Sequence, residues 1–131
     1  MKINVLLGIT IFCALTWLAI SKNLTGFTDL PSLVIVVGGA LCFGISSTGS
    51  YFSNQRLEAA SEGAVISGWL GTLYGYVIIA GNISDMSALG PATAVAIITV
   101  VYGYFFKAIV RMILLSRCLL YTSDAADECL C

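Results

Sequence analysis

The sequence has no histidine and few charges: Asp, Glu, Lys and Arg make up 10% of its 131 residues, where soluble domains carry roughly a quarter. No basic run and no aromatic-basic interleaving is present, which removes the usual footprint of nucleic-acid binding. The five cysteines, Cys13, Cys42, Cys118, Cys129 and Cys131, include no CxxC pair. A zinc site needs two such ligand pairs. Cys13 and Cys42 fall in apolar segments, where cysteine acts as a small apolar residue. Neither a metal, a cofactor nor a disulfide is expected.

What is present is apolar: 59% of the chain is hydrophobic and the mean hydropathy is +0.98. A small soluble fold has too much surface for its volume to hide that much. Lipid must be the solvent for most of it. A membrane-crossing helix needs about 20 apolar residues, and four runs approach that length: about 3–20, 33–49, 64–81 and 92–115. Pro31 and Ser32 open the second, proline suiting a first turn and serine a cap. Ser21 to Leu30 and Asn82 to Pro91 read as short polar loops. Ser50 to Gly63, with Arg56, Glu58 and Glu62, reads as a third. The expectation is an all-α integral membrane protein with four transmembrane helices.

Cations prefer the cytoplasmic side. An N-in/C-in arrangement places Lys2, Arg56, Lys107, Arg111 and Arg117 there, against Lys22 alone outside. Lys107 and Arg111, four residues apart, share a face and can snorkel toward headgroups at the cytoplasmic interface. The first run also has the outline of a signal peptide, with Met1-Lys2 before it and Ala19-Ile20-Ser21 after it. From residue 116 the character changes. Arg117-Cys118-Leu119-Leu120-Tyr121-Thr122-Ser123-Asp124-Ala125-Ala126-Asp127-Glu128 resembles a translated adapter or vector tail, so 1–115 is taken as the membrane domain and 116–131 as non-native.

No run carries Asp, Glu or His at depth. Such groups mark proton relays and substrate counter-ions within membranes. A small four-helix exporter needs an embedded glutamate, and an ion pathway here would borrow its carboxylate from a partner. The runs have small and hydroxyl residues instead. Ala64, Gly68 and Thr72 fall at helical spacing, with Gly71 and Gly75 beside them; Ala92, Ala96, Thr99 and Gly103 make a matching stripe. Small residues let backbones approach, and packing is the main associating force between helices in lipid. Thr72 and Thr99 fall near mid-depth at about 1.5 Å of rise per residue. Two readings stay open. Either the stripes are packing seams whose hydroxyls bond one turn back, or the hydroxyls line a narrow polar path.

Three stretches resemble the MotA/TolQ/ExbB family of ion-driven motor proteins. Phe27-Thr28-Asp29-Leu30-Pro31-Ser32-Leu33-Val34-Ile35-Val36-Val37-Gly38-Gly39 is similar to the start of the family's second span. Gly68-Trp69-Leu70-Gly71-Thr72-Leu73-Tyr74-Gly75 is similar to its third span. Ser87-Ala88-Leu89-Gly90-Pro91-Ala92-Thr93-Ala94-Val95-Ala96-Ile97-Ile98-Thr99-Val100-Val101-Tyr102-Gly103 resembles its fourth. The resemblance implies a multi-pass protein of the bacterial inner membrane that is no enzyme. It implies a homo-oligomer, pentameric in the family, around a single-span partner of the MotB, TolR or ExbD type that supplies a membrane aspartate. Thr72 and Thr99 then inherit the ion pathway, for protons or sodium, and the stripe glycines an oligomeric seam. Three features depart from the family pattern. A short loop stands where stators have a large cytoplasmic domain, Val100 replaces a second threonine, and Lys107-Ala108 replaces an Ala-Asn pair. A non-conducting structural or assembly membrane protein is the competing expectation.

Overall fold

The computed structural model describes residues 3–22, 24–47, 53–81 and 86–121. Within them the chain is helical throughout: α1 (Ile3–Ile20), a single 3-10 turn (Leu24–Phe27), α2 (Leu30–Ser46), α3 (Asn54–Gly81) and α4 (Met86–Tyr121). No strand occurs among the described residues. Residues 122–131, most of the segment expected to be non-native, lie outside them.

The start of α2 is fixed by Asp29, not by Ser32 as expected. Asp29 has extended backbone angles, φ −121 and ψ 106, and its Oδ2 accepts from the Ser32 N–H at 2.9 Å. A carboxylate at this position also suits the positive end of the helix dipole. Pro31 sits in the first turn, where its missing N–H costs nothing. The helix closes with the Ser47 N–H on the Phe43 carbonyl at 3.1 Å. The Arg56 guanidinium then donates from Nε to the Ser47 carbonyl at 3.3 Å, placing a cation at the negative end of α2.

Two helices are longer than the apolar runs within them. The expected loop of residues 50–63 is helical from Asn54 onward, so α3 has 28 residues. Ser53 accepts the Arg56 N–H on its Oγ at 3.3 Å and caps the start. Leu57, Glu58, Ala59 and Ala60 are strong helix formers. Hydropathy marks where the apolar part begins, after Glu62, and not where the helix begins. Likewise α4 starts at Met86 and runs for 36 residues, with Pro91 inside it. The proline removes one hydrogen bond near the helix start and the helix continues through it.

α3 and α4 pack antiparallel, α2 lies against α3 on one side and touches α4, and α1 leans on α4. The core is made of small residues. Val36, Ala40 and Ala64 form its centre, with Ala60 and Tyr102 packed against them. Ala96, Ser32, Ser61, Thr72 and Thr99 are also buried. Ile98 and Val110 are buried with them, but most large apolar side chains point outward: Ile45 is 73% exposed, Val77 71% and Leu18 68%. Small inside and large outside inverts the order of a soluble core and matches helices whose surroundings are lipid. α3 and α4 are each long and apolar enough to cross a membrane. α2, with 17 residues, is shorter, about 26 Å at 1.5 Å per residue.

Candidate functional site: the seam and groove of α2, α3 and α4

The expected stripe residues meet one another inside this chain. A Cβ added at Gly68 would stand 2.9 Å from the Thr99 carbonyl oxygen; one at Gly103 would stand 2.7 Å from that of Ala64. At both places backbone touches backbone across α3 and α4. Gly71 faces the Thr99 methyl and Gly75 faces Ala96, where an added Cβ would approach to 2.7 and 2.6 Å respectively. Of the stripe, only Ala92 sits off the seam, half-buried in the wall of a groove beside it. The glycines read as an oligomeric seam are therefore filled by the chain's own neighbouring helix.

The two threonines lie on this seam, buried to 4% (Thr72) and 2% (Thr99) exposure. The Thr72 hydroxyl is within reach of two acceptors, the Ala96 carbonyl of α4 at 2.7 Å and the Gly68 carbonyl of its own helix at 3.1 Å. It has one proton to give, and the shorter distance crosses to α4. The Thr99 hydroxyl donates to Ser32 Oγ of α2 at 3.0 Å, with the Val95 carbonyl at 3.4 Å as the weaker alternative. Together the hydroxyls tie α3 to α4 and α4 to α2. No buried polar side-chain atom among the described residues is left without a partner.

Beside the seam runs a groove of about 380 Å³ between α2, α3 and α4, lined by Asp29, Ser32, Gly71, Gly75, Ala96 and Thr99 among others. Thr99 reaches it; Thr72 lies behind, in the helix contact. Its floor is made of small residues and its polar edge comes from α2. At the other end of the molecule Lys107 does not stand free. Its ammonium pairs with Glu62 Oε1 at 2.5 Å, joining α4 to the charged start of α3. Arg117 Nη1 reaches Asn54 Oδ1 at 3.4 Å nearby. Arg111, one turn beyond Lys107, is exposed. Arg56, Lys107, Arg111 and Arg117 thus gather where α2 ends and α3 begins.

Three features were missed in the sequence. Tyr102 donates its hydroxyl to the Phe27 carbonyl and accepts the Asp29 N–H at 3.2 Å, so it pins the turn before α2 onto α4. The residue was noticed only as part of a Tyr-Gly motif, and nothing in its spacing names a partner 75 residues away. Ser32 was read as a cap, yet its hydroxyl receives Thr99. The α2–α3 contact is a second close approach, with an added Cβ at Gly63 only 2.6 Å from the Gly39 carbonyl oxygen, and Gly44 against Ala60. Ala60, Gly63 and Ser67 carry that signal at helical spacing. It is visible once α3 is extended back to Asn54.

These features define a class: a helical membrane protein whose α2, α3 and α4 pack through small residues and interhelical hydroxyl bonds. Within that class the chain is similar to Motility protein A of Cereibacter sphaeroides, 39% identical over 57 residues. The matched stretch is 44% of this chain and 22% of that protein, so the chain corresponds to a small part of the relative. No protein-family model matches the chain, and no solved structure does.

Proposed function

We propose that this chain is a MotA-like membrane subunit of an ion-driven channel or motor complex, coupling proton or sodium flow to mechanical work. The similarity to Motility protein A carries the reading. The three family-like stretches, 27–39, 68–75 and 87–103, supply much of the α2–α3–α4 contact, which adds support. In this reading the chain has four spans with both ends in the cytoplasm of a bacterial inner membrane. It is not an enzyme, and it forms a ring around a single-span partner that brings the missing carboxylate. Thr99, at the edge of the groove, is the better placed of the two threonines to meet that partner; Thr72 acts from behind as a strut. The test is ion flux in liposomes holding the chain together with a single-span partner bearing a membrane aspartate. Flux that depends on both proteins, and falls with Thr99→Val while assembly persists, is the expected result. Flux indifferent to the partner's aspartate would refute the reading.

One observation favours a second reading. Both threonine hydroxyls are engaged within the chain, as packing struts would be. A non-conducting assembly protein needs no more than that. In the same liposomes it would bind its partner and pass no ions.

A further inference from the structure

The opposite end of the α3–α4 pair holds a second cavity, of about 410 Å³, walled by Glu58 and Glu62 of α3 and by Tyr104, Lys107, Arg111 and Leu114 of α4. Its four charges are not equivalent. Lys107 and Glu62 neutralise each other. Arg111 and Glu58 are exposed, face the same cavity, and have no side-chain partner among the described residues. The antiparallel register sets them across from one another. Gly103 packs on Ala64 and Lys107 pairs with Glu62, so the next turn outward brings Arg111 opposite Glu58. They do not form an ion pair with each other.

The cavity also straddles a chemical border. On α3 the last charge is Glu62 and the apolar run starts at the next residue; on α4 Tyr104 and Leu114 flank the cations. Tyrosine and snorkelling cations are the side chains that favour headgroup depth. One unpaired guanidinium and one unpaired carboxylate, side by side at that depth, match a ligand that bears both a phosphate and an amine.

We propose that this cavity binds the headgroup of a zwitterionic aminophospholipid, its phosphate on Arg111 and its primary ammonium on Glu58. Arg111 offers the planar fork of donors that suits phosphate oxygens. Glu58 accepts from the ammonium, and the acyl chains lie along the exposed apolar flank of α3 and α4. An anionic headgroup without an amine satisfies only Arg111 and sets its charge against Glu58. A quaternary amine has no N–H to give Glu58. The site requires that the chain lie in a membrane and is independent of whether it conducts ions.

Native mass spectrometry of the purified chain, titrated with phosphatidylethanolamine, phosphatidylcholine and phosphatidylglycerol of one acyl composition, tests the proposal. The wild type is expected to retain phosphatidylethanolamine about fivefold better than either other lipid, the scale of one partly exposed charge contact. Glu58→Gln should erase the preference over phosphatidylcholine, and Arg111→Gln should weaken retention of all three. Equal retention of the three lipids by the wild type would overturn the proposal, as would tightest binding of phosphatidylglycerol or an Arg111→Gln variant that binds like wild type. The wild-type ranking decides the matter even if a variant folds poorly. Fractionation of cells separately reports whether the chain is in the membrane at all.

Discussion

The same residue does opposite things at two places in this molecule. Gly68 and Gly103 lie where α3 and α4 touch backbone to backbone, and neither has room for a Cβ. Gly8 on α1 has nothing within 4 Å of where its Cβ would be. The helices differ accordingly. α3 and α4 share a seam of small residues, whereas α1 meets α4 with the rings of Phe12 and Phe105 stacked, 5.6 Å apart and 21° from parallel. In lipid there is little hydrophobic drive to bring helices together, so closeness of approach and interhelical hydrogen bonds decide which contacts hold. α1 is the most uniformly apolar helix and the most loosely held, which in water would be a contradiction. α2, α3 and α4 form the closely packed unit, and α1 lies against it through α4.

The tight seam between α3 and α4 is the part most sensitive to substitution. Gly68→Leu or Gly103→Leu should force α3 from α4 and cost about 2–3 kcal/mol or more, as overpacking does. Gly8→Leu should stay within about 0.5 kcal/mol, as for surface changes. Unfolding in mixed micelles with increasing SDS measures both; equal costs would dissolve the distinction. Next comes the hydroxyl tie. Thr99→Val and Ser32→Ala each remove one end of the α4–α2 bond. A double-mutant cycle on the pair should give a coupling of about 0.6 kcal/mol, the typical size for such bonds in membranes. A coupling near zero would mean the hydroxyls do not meet.

Phe12→Ala should loosen α1 for about 0.5–1.5 kcal/mol, the scale of an aromatic pair, while leaving α2–α4 intact. Limited proteolysis checks this: the cut should fall between α1 and α2, and a cut within α3 would place the weak point elsewhere. Smallest is the Lys107–Glu62 pair, partly exposed on both sides. Lys107→Gln should cost under about 1 kcal/mol and less at high salt. A salt-independent loss would show that Lys107 packs more than it pairs.

Much of this was legible beforehand because lipid simplifies the code. Long apolar runs and small residues at helical spacing name helices and their packing faces, and Gly68, Gly71, Gly75, Ala96 and Gly103 all carry that signature. What they touch was not legible. A small residue marks a face, and spacing cannot say whether the facing helix belongs to the same chain. Helix limits were misread for a related reason. Hydropathy follows the solvent, while α3 begins where Ser53 can cap it, ten residues before the apolar run. Tyr102, Ser32 and the Lys107–Glu62 pair depend on contacts 45 to 75 residues apart. Their side chains meet only because the glycine seams first set the register.

The α3–α4 seam is internal to one chain, and the groove of α2, α3 and α4 lies open beside it. Paired cysteines test it most directly. With the native cysteines replaced, Gly71→Cys and Thr99→Cys, whose Cβ atoms would stand 3.5 Å apart and within disulfide reach, are introduced together and the protein is oxidised in native membranes. A cross-linked monomer, shifted in mobility and reversed by reductant, is the expected result. A ladder of covalent dimers and larger species, with no cross-linked monomer, would contradict it and return the glycines to an interface between chains.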